Sequence, residues 1–295
     1  MKKKKVALVL SSGGARGLAH IGVIEELLSQ GYEISSVAGS SMGAMIGGFY
    51  AAGELEKYKN WVTKLDAFDV FKLMDFSLNL KGFVKGDRVL NEIQKIIPDR
   101  NIEDLAIPYT ATAVNLKNKK EVIFKKGSLF KAIRASISIP MVFSPVYHND
   151  MLLVDGGILN PIPMEHVYRQ GNELTVVVNV NANIKPENNL KKTKKDEDFL
   201  SLWTSKIQSL FSEFPKAQQE DDDELGMYDL INNTIDAMLF RISSLILENH
   251  PPDLLIEISQ QEADTFDFYK ADELIRLGRK KAAKVLKKAS GLSSQ

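Results

Sequence analysis

Residues 34–53 read ISSVAGSSMGAMIGGFYAAG, and their pattern gives the clearest indication of the fold. Residues 34–38 predict a short strand, and residues 44–52 predict a helix that Gly53 ends. Between the two, GSSMG fits the pattern Gly-x-Ser-x-Gly around Ser41. Between a strand and a helix, this pattern is typical of a sharp turn that projects a serine hydroxyl above the sheet.

The turn needs small residues on both sides of Ser41, and Gly39 and Gly43 supply them. The N-terminus of the following helix would lie beneath the hydroxyl and favour negative charge there. These features are expected around a nucleophile. The same letters also fit a glycine-rich turn that buries a structural serine, so the motif alone leaves both interpretations open.

A second glycine-rich loop, SGGARG, follows the short apolar run at residues 6–10 and precedes a helix that Gly31 ends. Unpaired backbone N–H groups in such a loop converge on an anion, for example the oxyanion of acyl transfer. The candidate donors are Gly13, Gly14 and Ala15. Arg16 is expected either to orient the loop or to position a phosphate, and Gly17 completes the motif.

Two other interpretations of this N-terminal region are weaker. A dinucleotide loop needs G-x-G-x-x-G followed by an acidic residue after the second strand, but Ser12 occupies the first glycine position and Glu33 precedes that strand. A signal peptide needs about 7 to 15 apolar residues, and the run here is shorter. We therefore expect the lysines at positions 2–5 to be a solvated lead-in to a buried strand.

A serine nucleophile needs a base, and no histidine stands where one is expected. The four histidines are His20, His148, His166 and His250, and none follows a late strand. By contrast, LLVDGG places Asp155 at the end of an apolar strand, with Gly156 and Gly157 allowing a tight turn. A carboxylate there can accept the proton of Ser41, although an Asp before Gly is also common in ordinary turns.

Composition excludes several classes of protein. Lys plus Arg and Asp plus Glu both number 38, so a broad nucleic-acid surface is not expected. The absence of cysteine excludes disulfides, thiol nucleophiles and cysteine-bound zinc. No apolar run approaches the roughly 18 residues of a membrane helix. We expect a cytoplasmic protein with neither cofactor nor metal, whose membrane contact, if any, is peripheral; the oligomeric state stays open.

The order strand, loop, helix recurs along the chain and predicts a mostly parallel sheet with helices on both faces. Further strands are predicted at residues 109–115, 121–124, 151–154, 174–180 and 254–258. We expect one domain over residues 1–295, in which the charged segment 185–225 is an exposed or mobile insert.

Three apolar segments have expected positions around this sheet. The aromatic segment 55–79 is expected to cover one face of the site, and the helix at 229–247 is expected to pack in the core. The apolar stripe at 199–214 is expected to pack on the core or, as an alternative, to form a lid or an interfacial helix.

Taken together, SGGARG, GSSMG and DGG, in this order, resemble the bacterial branch of the patatin-like phospholipase family. RASISIPMVFSPV before the Asp loop, NPIPMEHVYRQG after it and PDLLIEI near the end are also similar to that branch. The resemblance is strong over residues 5–180 and weaker over residues 250–285. It departs from the family pattern at one position, because Ser12 stands where that pattern begins with Gly.

The resemblance implies a three-layer α/β/α sandwich and a Ser-Asp dyad that acts on lipid or acyl-ester substrates. Carried over by position, Ser41 is the nucleophile and Asp155 the base. Backbone amides near Gly13 and Gly14 would hold the oxyanion, so Ser12 is tolerable if its φ is negative. A lipid-binding or interaction protein with little catalysis stays the alternative, ahead of a nucleotide-binding oxidoreductase.

Overall fold

The computed structural model describes residues 4–73, 87–140, 142–171, 173–187 and 227–291. Some sequence-based expectations therefore fall outside the described residues. They are the apolar stripe at 199–214, nearly all of the insert predicted at 185–225 and the last part of the aromatic segment 55–79.

Within the described residues, eight strands form one mixed sheet: β1 Lys4–Leu10, β2 Tyr32–Ser40, β3 Tyr109–Asn115, β4 Lys120–Phe124, β5 Val146–His148, β6 Met151–Asp155, β7 Leu174–Ala182 and β8 Leu254–Ser259. Five of them run parallel in the order β8-β7-β1-β2-β3. Strands β4 and β6 pair with β3, and β5 pairs with β6, all antiparallel. The predicted mostly parallel sheet is confirmed. Of these described strands only β5 was not predicted, because three residues, two of them exposed, carry no periodic signal.

The described helices lie on both faces of the sheet: α1 Ala19–Ser29, α2 Met42–Ala51, α3 Leu55–Val62, α4 Ala67–Leu73, α5 Asp87–Gln94, α6 Leu129–Ser136, α7 Met227–Asn249 and α8 Ala271–Ala289. In β1, Leu8 and Leu10 face the core shared with α1, α2 and α8. Ala7 and Val9 face the opposite side, toward Ile162 and the end of α7. Because both faces are covered, β1 is apolar at every buried position rather than alternating.

Helix α7 differs from its expected position in the core. Leu230, Met238 and Leu245 are 57%, 54% and 38% exposed, whereas Ile246 and Leu247 pack against the sheet. The exposed residues are spaced by eight and seven positions, so they lie on one face of the helix. Apolar side chains therefore lie on both sides of α7, and among the described residues only one of these sides packs against the protein.

The most consequential pairing in the sheet is on β3, where β2 and β6 share one edge. Thr112 pairs with Ser40 of β2, and Ala113 pairs with Asp155 of β6. Strand β4 pairs with Thr112 and Ala113 along the other edge. Since β2 runs parallel and β6 antiparallel to β3, their C-terminal ends meet head to head. This topology brings the residue after Ser40 next to Asp155.

The turn after β2 is as sharp as its sequence predicts. Ser41 has φ 52° and ψ −121°, a sparsely populated conformation for a residue with a side chain. A Cβ on Gly39 would lie 2.3 Å from the carbonyl of Gly43, and one on Gly43 would lie 2.2 Å from the carbonyl oxygen of Leu10. Both glycines are therefore required because backbone approaches them closely.

Replacing glycines within α2 tests this packing. Alanine at position 43 or 47 gains about 1 kcal/mol of helix propensity. At 43 the new methyl meets the backbone of Leu10, whereas at 47 it lies 2.6 Å from a Val37 methyl, which can shift. In urea titrations, we expect the free energy of unfolding of Gly43→Ala to be about 2 kcal/mol lower than that of Gly47→Ala. The reason is that a backbone clash cannot be relieved by the movement of a side chain. A Gly43→Ala protein as stable as the wild type would contradict this account.

Candidate active site

The Ser41 hydroxyl and the Asp155 carboxylate form one buried pair. Ser41 Oγ donates a hydrogen bond to Asp155 Oδ2 at 2.5 Å, and the two residues are 4% and 5% exposed. The other carboxylate oxygen, Oδ1, accepts the Gly157 N–H at 2.7 Å. Such short bonds are typical of hydrogen bonds to an ionised acceptor. Gly156 is needed beside them because a Cβ there would lie 2.3 Å from the Thr112 carbonyl oxygen.

Burial changes the acidity of this carboxyl group. It raises the pKa of Asp155 from 3.8 to about 7, and the hydrogen bonds from Ser41 and Gly157 oppose this rise. The desolvation of the charge outweighs the two hydrogen bonds. A group with a pKa near neutrality exchanges protons readily at that pH, which is what a general base and acid needs.

A short segment at the end of α6 holds both members of the pair. Ser136 Oγ accepts the Ser41 N–H at 2.9 Å, and the Ser138 carbonyl accepts the Asp155 N–H at 2.9 Å. Arg134 braces the segment by donating to Ser138 Oγ at 2.7 Å and to the Ser144 carbonyl at 3.1 Å. Sequence reasoning missed both serines. Their only signal was the run of small hydroxyl residues in RASIS.

The glycine-rich loop presents fewer free amides than its sequence suggested. Within the described residues, the N–H groups of Gly13 and Gly14 have no acceptor. The Ala15 N–H instead donates to the Thr265 carbonyl at 2.9 Å, so the expectation that Ala15 offers a free donor is wrong. Met42 was not predicted as a backbone donor. It is the first residue of α2, so its N–H has no partner within the helix.

Close packing fixes the conformation of this loop. Gly14 has φ 54°, and a Cβ there would lie 2.7 Å from the Thr265 carbonyl oxygen. A Cβ on Gly13 would lie 2.3 Å from a Val180 methyl, and one on Gly17 would lie 2.3 Å from the Met42 side chain. The loop is therefore pressed against both the sheet and the helix that follows Ser41.

Arg16 anchors the glycine-rich loop by contacts with distant parts of the chain. Its buried guanidinium donates to the Ala263 carbonyl and to Asn181 Oδ1, both at 3.1 Å. It also lies 3.8 Å from a carboxylate oxygen of Asp236 in α7. Of the two roles expected for Arg16, these contacts favour orienting the loop over binding a phosphate.

All four histidines are described, and none hydrogen-bonds to Ser41. His20 is buried and contacts the Ser11 carbonyl oxygen through Nε2 at 2.9 Å. Burial lowers the pKa of His20 to about 4, so it is neutral near pH 7. His166 lies 2.8 Å from Glu121 instead. The carboxylate is therefore the basic group in contact with the Ser41 hydroxyl.

Two cavities meet at Ser41. The first, of about 70 Å³, is almost wholly apolar and is lined by α3 and α4 through Tyr58, Trp61, Val62 and Val70. This confirms, for its described part, that the aromatic segment 55–79 covers one face of the site. The second, of about 230 Å³, is bordered by the glycine-rich loop, Asp155 and one side of α7.

Several known proteins are similar to this chain. The sequence model of the family described as patatin-like phospholipase matches residues 8–168. Uncharacterized NTE family proteins of Mycobacterium tuberculosis and Mycobacterium bovis are each 33% identical over 96% of this chain and 91% of their own length. Lysophospholipase NTE1 of Kluyveromyces lactis is 31% identical over 60% of this chain and 13% of its own length. VipD from Legionella pneumophila aligns structurally with 98% of this chain and 67% of its own, with 14% identity and a TM-score of 0.49.

The chain therefore belongs to the patatin-like phospholipase family, a family of lipid hydrolases. The three-layer arrangement of helices around a mostly parallel sheet agrees with this membership. No helix in the described part of the chain is both long enough and apolar enough to cross a bilayer.

Burial of Asp155 predicts a pH-dependent effect on stability. Because its folded-state pKa of about 7 lies above the ordinary 3.8, the folded protein binds a proton between these values that the unfolded chain lacks. Stability from this group is therefore full below about pH 4 and is lost as the pH rises through 7. Asparagine preserves the shape, donates to Ser41 and accepts from Gly157 without carrying a charge.

We expect Asp155→Asn to be more stable than the wild type at pH 8, by at most about 4 kcal/mol, with the difference vanishing near pH 4. Urea unfolding monitored by circular dichroism at several pH values measures it. Asp150→Asn, in an exposed turn, is the control and should show no such trend. An Asp155→Asn protein that is less stable than the wild type at pH 8 would contradict the raised pKa of Asp155.

Proposed function

We propose that this protein is a serine acyl hydrolase that cleaves carboxyl esters of lipids through a Ser41-Asp155 dyad. The observation that supports it most strongly is the 2.5 Å hydrogen bond from the Ser41 hydroxyl to a buried carboxylate. A serine hydroxyl becomes a useful nucleophile when an adjacent base can accept its proton. The sharp turn at Ser41 exposes that hydroxyl to both cavities.

In the first half of the reaction, Ser41 Oγ attacks the ester carbonyl carbon while Asp155 Oδ2 takes the hydroxyl proton. The carbonyl oxygen becomes an oxyanion, and the amides of Gly13 and Gly14 are its proposed donors. One well-placed donor of this kind lowers the barrier by roughly 3 to 4 kcal/mol. The alcohol then leaves with the proton that Asp155 held, and the acyl group stays on Ser41.

In the second half, Asp155 removes a proton from a water molecule that attacks the acyl carbon. The bond to Ser41 Oγ breaks, and Asp155 returns the proton to the serine. The products are a carboxylic acid and the free enzyme. Asp155 thus acts as base and then acid in each half, and a pKa of about 7 suits both roles at neutral pH.

The two cavities suggest how the substrate is divided. The first cavity offers almost no polar surface, so we propose that it takes the acyl chain. The second contains Asp155 and the glycine-rich loop, so we propose that it admits the alcohol portion and later the water. The proposed substrate is a lipid or another acyl ester. We propose that the protein acts as a single domain and binds this substrate at a membrane surface or in solution.

Turnover of p-nitrophenyl esters tests this proposal. We expect hydrolysis by the wild type and a loss of at least about 1,000-fold in Ser41→Ala and Asp155→Asn, because each removes a group that bonds to or protonates the reacting atoms. Ser40→Ala and Asp150→Asn are matched controls, which we expect to stay within about threefold of the wild type. Near-normal rates in Ser41→Ala or Asp155→Asn would contradict the dyad, and an inactive wild type would favour a lipid-binding protein.

A further inference from the structure

The hydroxyl of Ser12 is a buried polar group that the dyad mechanism leaves unused. Ser12 is 3% exposed, and its Oγ has no hydrogen-bond partner among the described residues. An unpaired buried hydroxyl costs about 1 to 3 kcal/mol, so such groups call for an explanation. Ser12 also stands at the position where the patatin-like pattern begins with Gly.

The backbone of Ser12 is fully used in holding the loop. Its N–H donates to the Pro161 carbonyl at 2.9 Å. Its carbonyl oxygen accepts from Asn181 Nδ2 at 2.7 Å and from Ser11 Oγ at 3.0 Å. These bonds fix the position of the residue and remove its amide from the possible oxyanion donors. Only the hydroxyl is left to act on a bound molecule.

The hydroxyl lies on the side of the site that we propose admits the alcohol and the water. Ser12 borders the second cavity and not the apolar first cavity. A Cβ built on Gly157 would lie 2.9 Å from Ser12 Oγ and 3.1 Å from Asp155 Oδ1, so both oxygens lie beside Gly157. A molecule in this cavity that contacts the carboxylate is therefore close to the hydroxyl.

We propose that Ser12 Oγ positions the water that attacks the acyl-enzyme, an inference that rests on the proposed function. The water donates one hydrogen to Asp155 as its oxygen bonds to the acyl carbon, and Ser12 Oγ hydrogen-bonds to the same water. The acyl bond to Ser41 Oγ then breaks, and Asp155 returns the proton to Ser41. Ser12 itself gains and loses no proton.

The attacking water depends on this hydrogen bond more than the ester alcohol does. An alcohol is held by the rest of its molecule, whereas a water has only hydrogen bonds to orient it for attack. Loss of the Ser12 hydroxyl should therefore slow hydrolysis of the acyl-enzyme more than its attack by an added alcohol. The ratio of the two products reports this difference whichever step limits turnover.

The test compares wild type, Ser12→Ala and Ser12→Thr with a p-nitrophenyl ester in the presence of methanol, with acid and methyl ester quantified by chromatography. We expect Ser12→Ala to hydrolyse about tenfold more slowly and to raise the ratio of methyl ester to acid by about fivefold or more. Ser12→Thr, which keeps a hydroxyl, should bring the ratio back toward the wild type. Ser40→Ala removes another buried, unpartnered hydroxyl that does not border the second cavity, and its ratio should not change.

An unchanged product ratio in Ser12→Ala would overturn this inference, whether or not the overall rate falls, because a damaged loop slows both reactions alike. An equal rise of the ratio in Ser40→Ala would also overturn it. No turnover by the wild type would overturn the proposed function as well. Turnover that requires Ser41 and Asp155, with a ratio indifferent to Ser12, would overturn the role of Ser12 alone.

Discussion

Two strands that approach from opposite directions share one edge of β3, and the site depends on this meeting. Ser40 pairs with Thr112 and Asp155 with the next residue, Ala113. A carboxylate and a serine hydroxyl that are far apart in the chain therefore come within 2.5 Å without any long loop to position them. The serines at the end of α6 and the glycine-rich loop only refine a geometry that the pairing of the strands on β3 already sets.

This geometry places two unfavourable features side by side. Ser41 holds a backbone conformation that residues with side chains rarely adopt, and Asp155 loses the hydration of its charge. The surroundings offset them with buried helices on one face of the sheet and with close backbone contacts at the glycines of the turn. The same burial that destabilises the charged carboxylate also moves its pKa to the range in which it can exchange a proton with Ser41.

The sequence predicted those features that depend on local constraints. Gly39 and Gly43 mark a turn that only small residues allow, and buried strands appear as apolar runs ended by glycine. Contacts between residues far apart in the chain could not be predicted from the sequence. Nothing near Ala15 reveals that Thr265 accepts its amide, and nothing near Ser136 reveals that its hydroxyl holds Ser41. The exposure of one side of α7 was missed for the same reason, because it depends on what packs against the helix.

The proposed dyad requires that Asp155, with its raised pKa, accepts the Ser41 proton directly. This proton transfer can be followed by the rate at which a fluorophosphonate labels Ser41, measured by intact-protein mass spectrometry between pH 5 and 9. We expect one label on Ser41, a labelling rate that rises with pH around a midpoint near 7 and a loss of that rise in Asp155→Asn. Labelling at another residue, or a rate at Ser41 that does not change across this range, would contradict it.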